Sequence, residues 1–389
     1  MGIKTINNQE VNAFIRELYQ TPEGFIPLHA PHFGGNEKKY LAETIDSTFV
    51  SSVGPFVDRF EEMMREYTGA KYAVAVVNGT AALHMGLLLA GVQQDDLVIT
   101  QALSFIATCN AISYIGAEPY FIDVDKSRLG MSADALEHFL HDVKLISGEA
   151  IHIPSGRKVS ACVPMHTFGM PTEIDRIVEM CSTFNIPVVE DAAESLGSLY
   201  KGKHTGTFGK MGTYSFNGNK TITCGGGGII VTDDEAIGKM AKHLTTQAKV
   251  PHRWAFVHDH IGYNYRCPNL NSALACAQME QLDKFITNKR ETSERYRAFF
   301  EGSNFQFVSE PENSTSNYWL NALLLESRDA REQFLQVTND EKIMTRPVWE
   351  LMHKLEMFKH CMHDGLTNSI DIESRLVNIP SSVRMGDLK

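Results

Sequence analysis

The chain has 389 residues, 43% of them hydrophobic, and a net charge of −11. That length exceeds one ordinary core and predicts two or three domains, while the apolar share excludes general disorder. The acidic balance and the lack of any long basic run exclude a nucleic-acid partner, because phosphate backbones are gripped by clustered Lys and Arg.

Cys109, Cys162, Cys181, Cys224, Cys267, Cys276 and Cys361 are scattered, odd in number and never spaced C-x-x-C. They predict free thiols in a reducing cytoplasm. No apolar run reaches the ~20 residues that span a bilayer, and no signal pattern opens the chain, so no membrane partner is expected. No metal is expected either. His360-Cys361-x-His363 lacks a second ligand pair at zinc-finger spacing, and His258-Asp259-His260 is set aside with it.

In chain order, 36–50 and 55–67 read as helices, the second ending before Gly69. A short apolar strand at 72–77 runs into Asn78-Gly79-Thr80 and a helix over 81–90. A strand at 97–100, a helix at 104–115 and strands at 119–124 and 159–165 follow. Ile174, Ile177, Val178, Cys181 and Phe184 share one helix face, and the next strand, 187–190, closes on Glu190-Asp191. The run Gly225 to Gly228 leads into a further strand at 229–232. Continuous apolar strands alternating with amphipathic helices predict an α/β fold, a mostly parallel sheet with helices on both faces. From about residue 270 the texture changes to one long helix over 274–297 and then mixed elements. This predicts an N-terminal arm over 1–35, a large domain over 36–270 and a smaller C-terminal α/β domain over 271–389.

In such sheets ligands sit beyond the carboxyl ends of the strands, where Asn78-Gly79-Thr80, His166 and Glu190-Asp191 should converge. The first amides of a helix after Gly79-Thr80 suit a phosphate, the alternative being an ordinary helix capped by Thr80. Phe105 is either a ring-stacking aromatic or a core one. Asp191 is either a partner for a buried cation or a helix cap. Lys220, 29 positions beyond Asp191 in Ser215-Phe216-Asn217-Gly218-Asn219-Lys220, is either a surface charge or a reactive amine. An imine-forming amine and a buried carboxylate are what pyridoxal 5′-phosphate (PLP) requires. One holds its aldehyde and the other keeps its ring nitrogen protonated. No G-x-G-x-x-G occurs, and Gly212 to Gly218 followed by Asn219-Lys220-Thr221 misses the P-loop spacing, which removes a dinucleotide oxidoreductase and a P-loop enzyme.

Together these motifs resemble the PLP-dependent sugar aminotransferases of the DegT/DnrJ/StrS family. The resemblance runs from about Phe25 through Arg346-Pro347-Val348-Trp349. It is carried by Glu190-Asp191-Ala192-Ala193-Glu194-Ser195-Leu196-Gly197, by the Lys220 segment and by Ile261-Gly262-Tyr263-Asn264-Tyr265-Arg266. Gly24-Phe25-Ile26-Pro27-Leu28-His29 and Ser51-Ser52-Val53-Gly54-Pro55-Phe56 are similar to the LegC-type branch. Those enzymes aminate C4 of UDP-linked 4-keto-6-deoxy-N-acetylglucosamine for glycans of bacillosamine or legionaminic acid type.

The resemblance implies a fold-type-I PLP-dependent transferase acting on a UDP-linked keto sugar and an amino-acid donor, L-glutamate. It implies Lys220 as the covalent anchor and proton carrier, Asp191 at the ring nitrogen, Phe105 stacked on the ring and Glu194 beside it. Gly79, Thr80 and Ser215 would hold the phosphate, and Asn264 would reach the phosphate of a neighbouring subunit in a homodimer with shared active sites. His29 and Arg266 would contact the nucleotide sugar. Two alternatives stay open: a dTDP-linked 3- or 4-keto sugar as substrate, and a non-enzymatic PLP-binding regulator.

Overall fold

The computed structural model describes residues 4–384. Its main sheet has seven strands in the spatial order Tyr72–Val76, Gly228–Thr232, Met211–Ser215, Val189–Asp191, Arg157–Val163, Leu97–Gln101 and Glu118–Ile122. The two halves join through the parallel bridges Cys162 to Val188 and Met165 to Asp191. Gly228–Thr232 alone runs antiparallel to its neighbours, and the other four pairings are parallel. The strands read as continuous apolar runs because both faces are covered: Leu97–Gln101 and Gly228–Thr232 are buried at every residue.

Helix ends follow local chemistry. Pro55 opens Pro55–Thr68, and Gly69, at φ 77°, closes it in the left-handed conformation that glycine adopts without strain. The helix Gly79–Ala90 is capped by Asn78, whose Oδ1 accepts from the Ala81 amide at 2.8 Å. The cap is therefore not Thr80. Asn78 has the extended backbone that lets its short side chain reach forward to the third helical amide, which puts Gly79 and Thr80 in the first turn.

Two expectations change. The long helix breaks into Asn269–Met279 and Leu282–Phe300. The break falls where side chains are drawn sideways: Gln278 and Gln281 both donate to Glu37 at 2.7 Å, and Glu280 accepts from Tyr40 at 2.6 Å and Arg59 at 2.7 Å. The sequence reading also left out a hairpin, Val143–Ile146 with Glu149–His152, which pairs with the start of Arg157–Val163. Its turn is Ser147-Gly148 at φ 53° and 86°, the two positive angles of a tight hairpin turn.

Beyond the main sheet, Gln306–Phe307, Asn321–Leu324, Leu376–Ile379 and Arg346–Pro347 form a second, antiparallel sheet. The helix Asn8–Leu18 lays Val11, Ile15 and Leu18 into one core with Tyr296, Phe300, Phe334 and Val377. Among the described residues no helix is long and apolar enough to cross a membrane. The seven cysteines are buried free thiols.

Candidate active site

Val189–Asp191 lies parallel to Met211–Ser215 and is bridged to Met165, so Asp191, Ser215 and Met165 finish at one edge of the sheet. Neighbouring residues of a strand face opposite ways, which separates the acidic pair. Glu190 points away from the site and accepts from the amides of Gly206, Phe208 and Gly209 at 2.6–2.7 Å. It also meets His166 Nε2 at 3.0 Å. Nδ1 of His166 accepts from the Thr172 amide, so Nε2 carries the proton and donates to Glu190. Both side chains are fully buried and tie loops together. His166, expected at the ligand, is part of this scaffold instead.

Asp191 faces a cavity of about 230 Å³. Gly79, Thr80, Phe105, Asp191, Glu194, Ser215 and Lys220 line it, with Asn78, Leu83, Ala107, Met165, Ala193 and Asn217. A side chain at position 79 would put its Cβ 2.8 Å from that of Ser215, so glycine is what lets the strand end and the helix N-terminus close on one another. The Asp191 carboxylate accepts from Thr108 Oγ1 at 2.6 Å and the Ala193 amide at 3.1 Å. Burial nevertheless pushes it above the usual carboxylate range. Lys220 is 12% exposed, with its Nζ 3.2 Å from Glu194 Oε1 and 4.1 Å from the centre of the Trp319 ring. It is not a surface charge. Phe105 is 45% exposed at the cavity mouth, edge-on to Trp349, and so is not a core aromatic.

Three expected residues are not brought to this cavity within the chain. Asn264 bridges Thr246 on a separate segment. Arg266 bridges Val76 and sits 3.9 Å from Asp58. His29 does not line the cavity, although both its ring nitrogens are buried without a hydrogen-bond partner. Burial, with Lys289 and Lys220 nearby, holds its pKa well below the usual imidazole value. Sequence reasoning missed Thr108 and Trp319. Thr108 follows Phe105 by three residues, a helical spacing that carries it to the same side. Trp319 carries no local signal.

The metal-like motifs are also regrouped. Glu118, not His363, joins His360 and Cys361, and Arg157 occupies Glu118 at 3.1 Å. His243, not His258, joins Asp259 and His260, and both imidazoles hydrogen-bond one Asp259 oxygen.

The profile of the DegT/DnrJ/EryC1/StrS aminotransferase family matches residues 31–388. The chain belongs to that family. It is 37% identical over 357 residues to a GDP-perosamine synthase of Escherichia coli O157:H7, covering 92% of this chain and 93% of that one. It is 34% identical to a GDP-perosamine synthase of Vibrio cholerae, covering 92% and 94%. Spr1654 from Streptococcus pneumoniae, solved in its PLP-form, shares the fold with a TM-score of 0.83 at 22% identity, over 94% of this chain and 95% of that one. As a DegT/DnrJ/EryC1/StrS aminotransferase, the protein is a PLP-dependent sugar aminotransferase of amino-sugar biosynthesis. The cavity fits PLP: it offers a shielded amine, a buried carboxylate and free helix-start amides beside a hydroxyl.

Glu194 gives the site a pH signature. Burial pushes its carboxyl up to about 7 from an ordinary 4.5, against the opposing pull of Lys220 and the Phe168 amide. Between those values the folded chain keeps a proton that the unfolded chain releases. The stability from this group is full below 4.5 and is lost as the pH rises through 7. Thermal unfolding of the coenzyme-free protein from about pH 4 to 8 is expected to show that decline, and Glu194→Gln to flatten it. Superimposable pH curves for the two proteins contradict the assignment.

Proposed function

We propose that this aminotransferase moves an amino group from L-glutamate to C4 of a UDP-linked 4-keto-6-deoxy-N-acetyl hexose, as LegC-type enzymes do. The observation that carries the amino transfer is the Lys220 amine, enclosed in a cavity with Asp191 and the Gly79-Thr80 turn. PLP supplies an electron sink for the carbon that gains or loses its proton. Lys220 anchors the coenzyme and, once free, carries the proton to and from that carbon. Asp191 would accept a hydrogen bond from the protonated ring nitrogen, and its two existing donors fix its direction. Phe105 would cover one ring face and Glu194 would lie beside the ring. The Gly79 and Thr80 amides and the Ser215 hydroxyl receive the phosphate. The cofactor-holding residues thus all fall within the 36–270 unit, with Asn264 acting across subunits.

The homodimer belongs to the same reading, with Asn264 reaching the partner's phosphate and His29 and Arg266 contacting the nucleotide sugar. It is supported by the apolar side chains of Trp254, Phe256 and Ile261, on the stretch of chain that leads into Asn264, which are 73%, 80% and 87% exposed. A cytoplasmic setting goes with it.

A second reading, a GDP-linked keto sugar as acceptor, is favoured by the 37% identity to a GDP-perosamine synthase. Fold motifs do not separate nucleotides, because substrate choice lies in loops. A panel of UDP-, GDP- and dTDP-linked 4-keto-6-deoxy sugars with L-glutamate decides. The UDP-linked N-acetyl sugar is expected to be turned over at least about tenfold more efficiently in kcat/KM than the others, the scale of one well-placed pocket contact. Preference for the GDP sugar replaces the first reading with the second. A regulator would turn over none.

A further inference from the structure

The Lys220 amine lies between two groups, the Glu194 carboxylate and the face of Trp319. The indole is held from several directions. Its Nε1–H donates to the carbonyl of Asn219, the residue before the lysine, at 2.6 Å. Its backbone N–H donates to Asn317 Oδ1 at 2.8 Å, and its carbonyl accepts from Nζ of the buried Lys289 at 3.1 Å. Asn317 is fully buried, and its Nδ2 faces the carbonyls of Glu194 and Leu196 at 3.0 and 2.9 Å and Thr221 Oγ1 at 3.3 Å. The segment 317–319 therefore grips both sides of the amine: the loop that carries Glu194 and the loop that carries the lysine.

A lysine side chain is a flexible four-carbon stem. When it must leave one bond and then deliver a proton to a neighbouring atom, its reach is useful only if its free positions are few. The face of an indole attracts an ammonium, and here the ring is bolted to the backbone beside that same lysine.

We propose that Trp319 is a positioning residue for the transfer. Its ring face, with Glu194, is the rest that the Lys220 amine occupies whenever it is not bonded to the coenzyme. This deepens the reading above and rests on Lys220 being the proton carrier. The segment that presents the ring is set by Asn317 and Lys289, so the rest is built into the fold rather than made by the substrate.

The test uses coenzyme-loaded enzyme and follows a single turnover with ordinary and α-deuterated L-glutamate. Trp319→Phe keeps an aromatic face and loses the bond to Asn219, and Trp319→Leu loses both. The leucine enzyme is expected to react about tenfold or more slowly, the scale of a lost orienting contact. Its isotope effect should exceed the wild-type one, with half-saturation by glutamate unchanged, and the phenylalanine enzyme should recover most of the rate. Wild-type rate and isotope effect in the leucine enzyme overturn the proposal. So does equal loss in both variants, or a loss confined to half-saturation. Should the leucine protein not fold, Trp319→Met, a ringless side chain of similar reach, replaces it in the same comparison. A Lys220→Ala enzyme that still turns over overturns the underlying reading. An unaffected leucine variant beside an inactive Lys220→Ala enzyme overturns the role of Trp319 alone.

Discussion

Lys220→Ala is expected to lower turnover by at least about 10³-fold, because in the proposed reaction one side chain supplies both the covalent anchor and the proton carrier. Lys220→Arg should do no better. Its guanidinium keeps a positive charge but forms no stable bond with an aldehyde, and its planar head does not fit where a compact ammonium sits between Glu194 and an indole face. Steady-state rates with L-glutamate and the preferred keto sugar measure the loss, and the coenzyme absorbance measures the anchor. The two variants should still hold the coenzyme through its phosphate and ring, so the expected pattern is bound but inert. A variant with wild-type turnover removes Lys220 from the reaction.

The second large effect is expected at Asp191. Asp191→Asn keeps the volume and an oxygen for the Thr108 hydroxyl, yet removes the charge that in the proposed reading would face a protonated ring nitrogen. Inside a buried site such a charge acts almost unscreened, and its loss should reduce kcat by about 10²-fold or more. Burial alone favours the protonated acid at this position, so the carboxylate would depend on the coenzyme cation proposed opposite it and on its two hydrogen bonds. Coenzyme affinity should fall with kcat in the asparagine enzyme. Asp191→Glu retains the charge on a longer stem, which must displace the Thr108 contact, and should fall between the two. Equal activity of the asparagine and wild-type enzymes contradicts the assignment.

Much of this site was legible because its parts are local. Val189–Asp191 and Tyr72–Val76 announce themselves as apolar runs closing on polar residues, and the residue after such a run lies at the sheet edge where ligands bind. Proximity of Lys220 to Asp191 also follows, since both flank strands that pair side by side. What was not legible depends on long-range packing. An apolar run reads the same in either direction, so the antiparallel insertion of Gly228–Thr232 between two other strands left no trace. Trp319 reaches the lysine loop across 100 residues of chain, through hydrogen bonds to backbone atoms that no spacing rule encodes. Glu190 and Asp191 look alike in the chain. Only the pleat, which turns one toward Gly206, Phe208 and Gly209 and the other toward the cavity, separates scaffold from site. The helix break at 280–281 is of the same kind: the pattern over 274–297 is helical throughout, and contacts to Glu37, Tyr40 and Arg59 interrupt it.

The most direct measurement is reductive trapping. Coenzyme-loaded protein is treated with borohydride, which fixes any lysine–aldehyde linkage, then digested and mapped by mass spectrometry. The account predicts the pyridoxyl label on the peptide containing Lys220 and nowhere else. A label on another lysine, such as the buried Lys289, or no label from protein that binds the coenzyme, contradicts it.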